Sequence, residues 1–179
     1  MKKKTGIIAW FAVMAFAITS FTFEVNKVQD EKETALEWHT DLNKVHELSE
    51  KTGKPIFGFF TGSDWCGWCH KLQREVFAKD DFIEWAKKEV ILLELDFPRK
   101  KKLPADLAKQ NNELQQALKV TGYPTIWVFY TEKNEETGQF NLNALGRLGY
   151  PRGAVKGKEE VKFIEDANQV LAKGNKASN

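Results

Sequence analysis

Two cysteines three positions apart, Cys66 and Cys69, are the residues of this 179-residue sequence best suited to chemistry. They stand in the run WCGWCH, where the apolar spacing predicts a helix over residues 66–77. Thiol–disulfide exchange needs a thiolate that attacks and a second thiol that displaces it from the mixed disulfide. The start of a helix lowers the pKa of a thiol, to between about 3.5 and 7.5 in such pairs. We therefore assign Cys66 as the attacking thiol and Cys69 as the resolving thiol.

The neighbours of the two sulfurs suit the approach of a polypeptide. Gly67 leaves the way to Cys66 uncrowded, because it has no side chain. Trp65 and Trp68 are expected to flank the sulfur with flat apolar surface, against which an extended or partly unfolded chain can lie. These residues favour a protein substrate.

Two other interpretations of the cysteine pair are a structural disulfide and a metal site. A bridge that closes so small a loop removes little chain entropy, so it stabilises a fold only weakly. Zinc requires four ligands, and His70 is the one histidine adjacent to the pair, whereas His39 and His46 lie on another predicted helix. The incomplete ligand set favours redox chemistry, and we expect no metal.

The run WCGWCHKL resembles the active-site segment of the thioredoxin superfamily, and is closest to the protein disulfide isomerase type. A second match, Gly122-Tyr123-Pro124-Thr125, resembles the glycine–tyrosine–cis-proline–threonine segment of the disulfide isomerases. The resemblance implies a cis bond before Pro124 and a substrate groove formed by Tyr123, Pro124 and Thr125. It also implies that the redox-active disulfide is the working group and that no cofactor is used.

Two positions depart from the family pattern. The family usually has a buried acid on the strand before the motif, which moves protons at the resolving cysteine, but residues 56–60 contain none. Glu94, on the neighbouring predicted strand, is the substitute that the sequence offers. Trp68 stands where the disulfide isomerases usually have a histidine that stabilises the thiolate. His70 is then the histidine that could support the active site.

The order of predicted elements is that of a thioredoxin fold over residues 36–171. We predict an α/β protein whose central mixed sheet of about four strands is flanked by helices. Unbroken apolar runs indicate the buried strands, and helical spacing of apolar residues indicates the helices. The predicted strands are 56–60, 90–97, 125–130 and 140–148. The predicted helices are 36–52, 66–77, one capped by Asp80 or Asp81, 104–120 ended by Gly122, and 158–171.

The amino terminus has the pattern of a secretion signal. Lys2, Lys3 and Lys4 precede an apolar run of 12 residues, 7–18, whereas a membrane span takes roughly 20. We predict a signal peptide at 1–20, with an uncleaved anchor as the alternative. A linker at 21–35, a thioredoxin-like domain at 36–173 and a disordered tail at 174–179 follow. The protein is expected in the periplasm or cell envelope, with membrane contact only through an uncleaved N-terminus.

The charge balance does not point to nucleic acid. Loss of three lysines with the signal peptide takes the net charge from +2 to −1, which is near neutral. The one basic cluster, residues 99–102, lies between Pro98 and Pro104. We interpret it as a solvated loop rather than a site for an acidic partner.

These observations predict a monomeric thiol–disulfide oxidoreductase that acts on protein thiols or disulfides and depends on an upstream redox partner. Reduction or isomerisation is favoured over oxidation, because no histidine lies between the cysteines. The alternatives are a metallochaperone that uses Cys66, Cys69 and His70, or a peptide-binding module without catalysis. The reduction potential that separates the redox roles cannot be read from residue types.

Overall fold

The computed structural model describes residues 35–177, so the predicted signal peptide and all but the last residue of the predicted linker lie outside the described residues. The strands are β1 Trp38–His39, β2 Ile56–Thr61, β3 Ile91–Asp96, β4 Thr125–Lys133 and β5 Phe140–Leu148. The helices are α1 Leu42–Thr52, α2 Gly67–Leu72, α3 Asp80–Glu89, α4 Ala105–Ala117 and α5 Glu159–Ala177. A π-helical turn, Gln73–Phe77, continues α2 without a break. Among the described residues, no helix has the length and apolar character needed to cross a membrane.

The five strands form one mixed sheet in the order β1-β3-β2-β4-β5. β1, β3 and β2 run parallel to one another, while β4 is antiparallel to β2 and to β5. Parallel neighbours need a crossover connection, which α2 and α3 supply between β2 and β3. This arrangement confirms the predicted thioredoxin fold and its mixed central sheet.

The extra strand β1 replaces the first turns of the helix predicted over residues 36–52. Trp38 pairs with Leu92 and His39 with Leu93, both in parallel register. The helix begins only at Leu42, because the Asp41 carboxylate accepts the N–H of Asn43 at 2.8 Å and caps it. The apolar side chain of Trp38 therefore faces the core from a strand, although its spacing fits a helix.

The inner strand β2 is covered on both faces, as its unbroken apolar run predicted. All six of its residues are buried. Phe57 and Phe59 join the core cluster that contains both cysteines, whereas Ile56 and Phe60 join a second cluster on the other face. At Gly58 a Cβ would lie 2.9 Å from the ring of Phe129, so only glycine allows this close approach.

Several predicted boundaries are wrong by a few residues. The residue before α3 is Lys79, so Asp80 and Asp81 lie in the first helical turn rather than at the cap. α4 ends at Ala117, and Lys119 takes a left-handed φ of 51°, so Gly122 is not its terminator. β4 continues through Lys133, beyond residue 130 where the strand was predicted to end. α5 extends to Ala177, beyond residue 171 where the last helix was predicted to end, and the predicted disordered tail stays a prediction.

Candidate functional site

Cys66 and Cys69 form a disulfide at the start of α2. Cys66 is the residue that caps the helix, in an extended conformation, and its Sγ accepts the N–H of Cys69 at 3.2 Å. Cys66 is 4% exposed and Cys69 is fully buried. Because helix N–H groups stabilise a thiolate, the position of Cys66 at the helix start suits an attacking sulfur once the disulfide is reduced. The attacking and resolving roles stay predictions.

Gly67 opens α2 in uncrowded space. A Cβ at this position would meet no atom within 4 Å, and the residue itself is exposed. The space around Gly67 itself is therefore open, and its role in the approach to Cys66 stays a prediction. A small side chain would fit there without a clash.

Trp65 is half-buried and is held by contacts with several neighbouring residues. Its Nε1 donates to the carbonyl of Phe97 at 2.8 Å. Gly62 lies against the indole, so closely that a Cβ at this position would come within 2.4 Å of the ring. The guanidinium carbon of Arg99 lies 3.7 Å from a ring centroid. The Arg99 guanidinium thus lies over the Trp65 ring, and the part of Trp65 in substrate contact stays a prediction.

Trp68 supplies the exposed apolar surface of the motif. Its side chain is 58% exposed, and its ring meets the ring of Tyr150 edge-on at 5.3 Å. The ammonium of Lys71 lies 5.0 Å from the Trp68 ring and 4.8 Å from the Tyr150 ring. The Tyr150 hydroxyl donates to Glu75, and burial together with that carboxylate raises the pKa of Tyr150. No motif in the sequence indicated Tyr150, which follows β5.

His70 is joined to the loop that precedes the motif. Its Nε2 lies 2.8 Å from the carbonyl of Ser63, close enough for a hydrogen bond. Ser63 in turn donates its N–H and its hydroxyl to the carboxylate of Asp96, at 2.8 Å and 2.6 Å. His70 is therefore linked to the loop before the motif through the Ser63 carbonyl, and its support of the active site stays a prediction.

Within residues 35–177, no three His, Cys, Asp or Glu side chains converge as ligands for a metal ion. Nδ1 of His46 lies 2.9 Å from the hydroxyl of Thr131, and His39 lies in β1. Only Cys69 and Cys66 lie beside His70 in sequence, and the two sulfurs are bonded to each other. The predicted weakness of the metal alternative stays a prediction for the reduced protein.

Tyr123 and Pro124 enter β4 through a cis peptide bond, as the resemblance implied. The Tyr123 ring meets Trp65 edge-on at 5.7 Å, and its hydroxyl accepts a hydrogen bond from Gln115 at 2.6 Å. Burial raises the pKa of Tyr123. Thr125 turns its hydroxyl to the carbonyl of Gly122 at 2.8 Å. The contact between Tyr123 and Trp65 thus joins the second motif to the residue before Cys66.

Glu94 lies on the sheet face that carries the cysteine cluster. It stands in register with Phe59 and two residues from Leu92, both members of that cluster, and strand side chains alternate between faces. Burial, followed by the neighbouring charge of Asp96, raises the pKa of Glu94. Its carboxyl group is therefore half-buried on the correct face, and its part in proton transfer from Cys69 stays a prediction.

The basic loop, residues 99–102, lies against the motif rather than apart from it. The carboxylate of Asp64 accepts the backbone N–H groups of Arg99 at 2.9 Å and Lys100 at 2.7 Å. The ammonium of Lys101 lies 3.1 Å from Asp96. Sequence reasoning missed this placement, because Asp64 and Arg99 are 35 positions apart.

The hydrogen bonds that the Asp64 carboxylate accepts from the basic loop predict a pH dependence. The N–H donors of the basic loop, Arg99 first, lower the pKa of Asp64 below its ordinary value of 3.8. Because the pKa of Asp64 is lowered, its carboxylate is ionised and accepts these hydrogen bonds above pH 3.8. The hydrogen bonds are lost only as pH falls through the lower pKa of the folded state. We expect the amide proton of Lys100, followed by NMR, to titrate with that low midpoint, and Asp64→Asn to remove the titration. A midpoint at or above 3.8 in the wild-type protein would contradict the assignment.

The model of the thioredoxin-like domain family matches residues 42–143, from the start of α1 into β5. The chain belongs to the thioredoxin superfamily. Over 115 residues, 64% of this chain and 68% of the relative, it is 34% identical to the disulfide bond reductase DsbH of Chlamydia pneumoniae. It is 23% identical over 154 residues to the thioredoxin-related protein DsbJ of the same organism, which covers 86% of this chain and 42% of DsbJ.

Two solved structures resemble this fold. One, described as DsbH oxidoreductase, has a TM-score of 0.63 and 28% identity, and the match covers 88% of this chain and 95% of that one. A thioredoxin from Thermus thermophilus has a TM-score of 0.54 and covers 80% of this chain and 93% of its own. At 16% identity the latter shows the fold alone. The family, its named relatives and the Cys66–Cys69 pair make this thioredoxin-like protein a thiol–disulfide oxidoreductase.

Proposed function

We propose that this protein reduces disulfides of other proteins outside the cytoplasm, with isomerisation of wrong disulfides as a related outcome of the same chemistry. The observation that carries the proposal is the disulfide at the start of α2, with Cys66 at the cap and Cys69 fully buried behind it. In this proposal Cys66 reacts with the partner and Cys69 performs the intramolecular step.

The reaction begins with the reduced protein. The Cys66 thiolate attacks one sulfur of the substrate disulfide, so a bond from Cys66 to that sulfur forms while the substrate bond breaks. The other substrate sulfur leaves as a thiolate and takes up a proton. Cys69 loses its proton and attacks Cys66, which releases the second substrate thiol and restores the Cys66–Cys69 disulfide. Two electrons have passed to the substrate, and an upstream dithiol donor must return two electrons to the protein.

The substrate groove in this proposal is formed by Trp68 on one side of the motif and by Tyr123, Pro124 and Thr125 on the other. Trp68 offers exposed apolar surface, which suits an unfolded or extended chain. Tyr123 packs on Trp65 and so lies close to the motif. Backbone pairing of the substrate beside Pro124 is what the family resemblance implies for this segment.

The direction of the redox reaction and its place outside the cytoplasm are supported by different observations. The relative DsbH is named a disulfide bond reductase, and Trp68 replaces the histidine that stabilises the thiolate in disulfide isomerases. Without that stabilisation the reduced form is less favoured, which makes the protein a stronger reductant. The amino-terminal lysines and apolar run support export.

A measured reduction potential tests the direction. We expect the Cys66–Cys69 pair, equilibrated in defined glutathione or dithiothreitol buffers, to lie closer to about −270 mV than to about −120 mV, the range among proteins of this chemistry. The variant Trp68→His should shift the potential upward, towards oxidising values, because a histidinium stabilises the thiolate. A wild-type potential near about −120 mV would contradict reduction and indicate an oxidase.

A further inference from the structure

We propose that Arg99, assisted by Lys100, binds acidic side chains that flank the disulfide of a substrate protein. The inference rests on the proposed function, because it concerns substrates of the same Cys66–Cys69 pair. It assigns a specificity role to the loop that the sequence alone presented as a solvated cluster of charges.

Contacts to both the backbone and the side chain of Arg99 hold this residue in place. Its N–H donates to the Asp64 carboxylate at 2.9 Å, and its guanidinium carbon lies 3.7 Å from a ring centroid of Trp65. The indole is itself fixed by its hydrogen bond to the carbonyl of Phe97 at 2.8 Å. A long side chain that is held in this way loses less conformational freedom when it binds a ligand.

Three of the four cationic side chains of the loop form no ion pair within the described residues. Among residues 35–177, the side chains of Arg99, Lys100 and Lys102 form no ion pair, and the Arg99 guanidinium donates no hydrogen bond. Only Lys101 is paired, with Asp96 at 3.1 Å. A guanidinium over a ring face keeps its in-plane N–H groups available, and these match the two oxygens of a carboxylate. Arg99 is therefore a vacant, preoriented carboxylate receptor.

The proposed receptor lies close to the sulfur that would be joined to the substrate. Trp65, under Arg99, directly precedes Cys66, and consecutive Cα atoms are about 3.8 Å apart. A substrate joined to Cys66 extends by about 3.3 Å per residue. Aspartate or glutamate within about three residues of the substrate cysteine can then reach Arg99. Lysine at the same substrate positions would meet like charge.

Three peptides with the same internal disulfide, flanked by glutamate, glutamine or lysine, test the inference on the reduced full-length protein. We expect kcat/KM for the glutamate peptide to exceed that for the glutamine peptide by roughly three- to tenfold at low salt, and the lysine peptide to be slowest. Added salt should shrink the differences, because the loop is exposed. Arg99→Gln should bring the glutamate-to-glutamine ratio close to one.

Lys87→Gln is the matched control, since it removes one cation from the last turn of α3, before β3 begins, whereas the basic loop follows the end of β3. It should leave the ratio of the wild-type protein unchanged. Equal kcat/KM for all three peptides at low salt would overturn the inference while the proposed function stands. Failure to reduce any of them would overturn the proposed function itself. A ratio that falls equally in Lys87→Gln would show general charge attraction and would also overturn the role of Arg99.

Discussion

Replacing Cys66 by serine is expected to lower the rate of protein-disulfide reduction to that of the uncatalysed reaction. A serine hydroxyl is not ionised near neutral pH and cannot replace the thiolate that attacks the substrate disulfide. Cys66 is the sulfur at the helix cap, and Cys69 is fully buried, so we expect that the second thiol does not take over. Insulin precipitation with an excess of a chemical reductant measures the rate.

The comparison variant is Cys69→Ser, which also loses turnover but should still consume one substrate disulfide per molecule by forming a mixed disulfide. Circular dichroism of both variants against the reduced wild-type protein checks that the fold is kept. Turnover by Cys66→Ser at a rate similar to the wild type, together with an inert Cys69→Ser, would reverse the two roles.

Phe57→Ala is expected to lower the free energy of unfolding by about 3–5 kcal/mol. Phe57 is fully buried in β2, in the cluster that also contains both cysteines. Removing its ring leaves a cavity, because the surrounding aromatic side chains are packed too rigidly to move in and fill it. Those rings, with centroids between 5.9 and 6.2 Å away, belong to Trp38, Phe77, Phe82, Trp85 and Phe163.

Urea denaturation of the oxidised protein measures this loss. Val161→Ala is the control, because Val161 is 52% exposed on α5 and its truncation should change stability by less than about 0.5 kcal/mol. Phe57→Leu keeps most of the apolar volume and serves if the alanine variant does not fold. Losses for Phe57→Ala as small as those for Val161→Ala would contradict the packing described for β2.

The sequence predicted the fold where local pattern and tertiary structure agree. β2 is an unbroken apolar run with both faces covered, and β5 begins at Phe140 and ends at Leu148 as predicted. The strand β1 could not be predicted, because two residues carry no periodicity and Trp38 also fits a helical spacing. Its strand conformation depends on pairing with β3, more than fifty positions away.

The site was predictable only where chemistry resides in a short motif. The spacing of Cys66 and Cys69 predicted the disulfide, and the residues around Pro124 predicted the cis bond. Arg99 over Trp65 and Tyr150 beside Trp68 join segments that are far apart in sequence, so no local pattern indicated them. Tertiary contacts of this kind determine what surrounds the sulfur.

Trapping with Cys69→Ala tests the central claim most directly. Without the resolving thiol, Cys66 should stay joined to its substrates, and non-reducing electrophoresis of alkylated cell extract should show high-mass adducts that collapse with reductant. Cys66→Ala, expressed in the same way, should show none. Mass mapping of each adduct should find the bond at Cys66. Folded Cys69→Ala protein without any reductant-sensitive adduct, or adducts formed equally by Cys66→Ala, would contradict the claim that Cys66 attacks and Cys69 resolves.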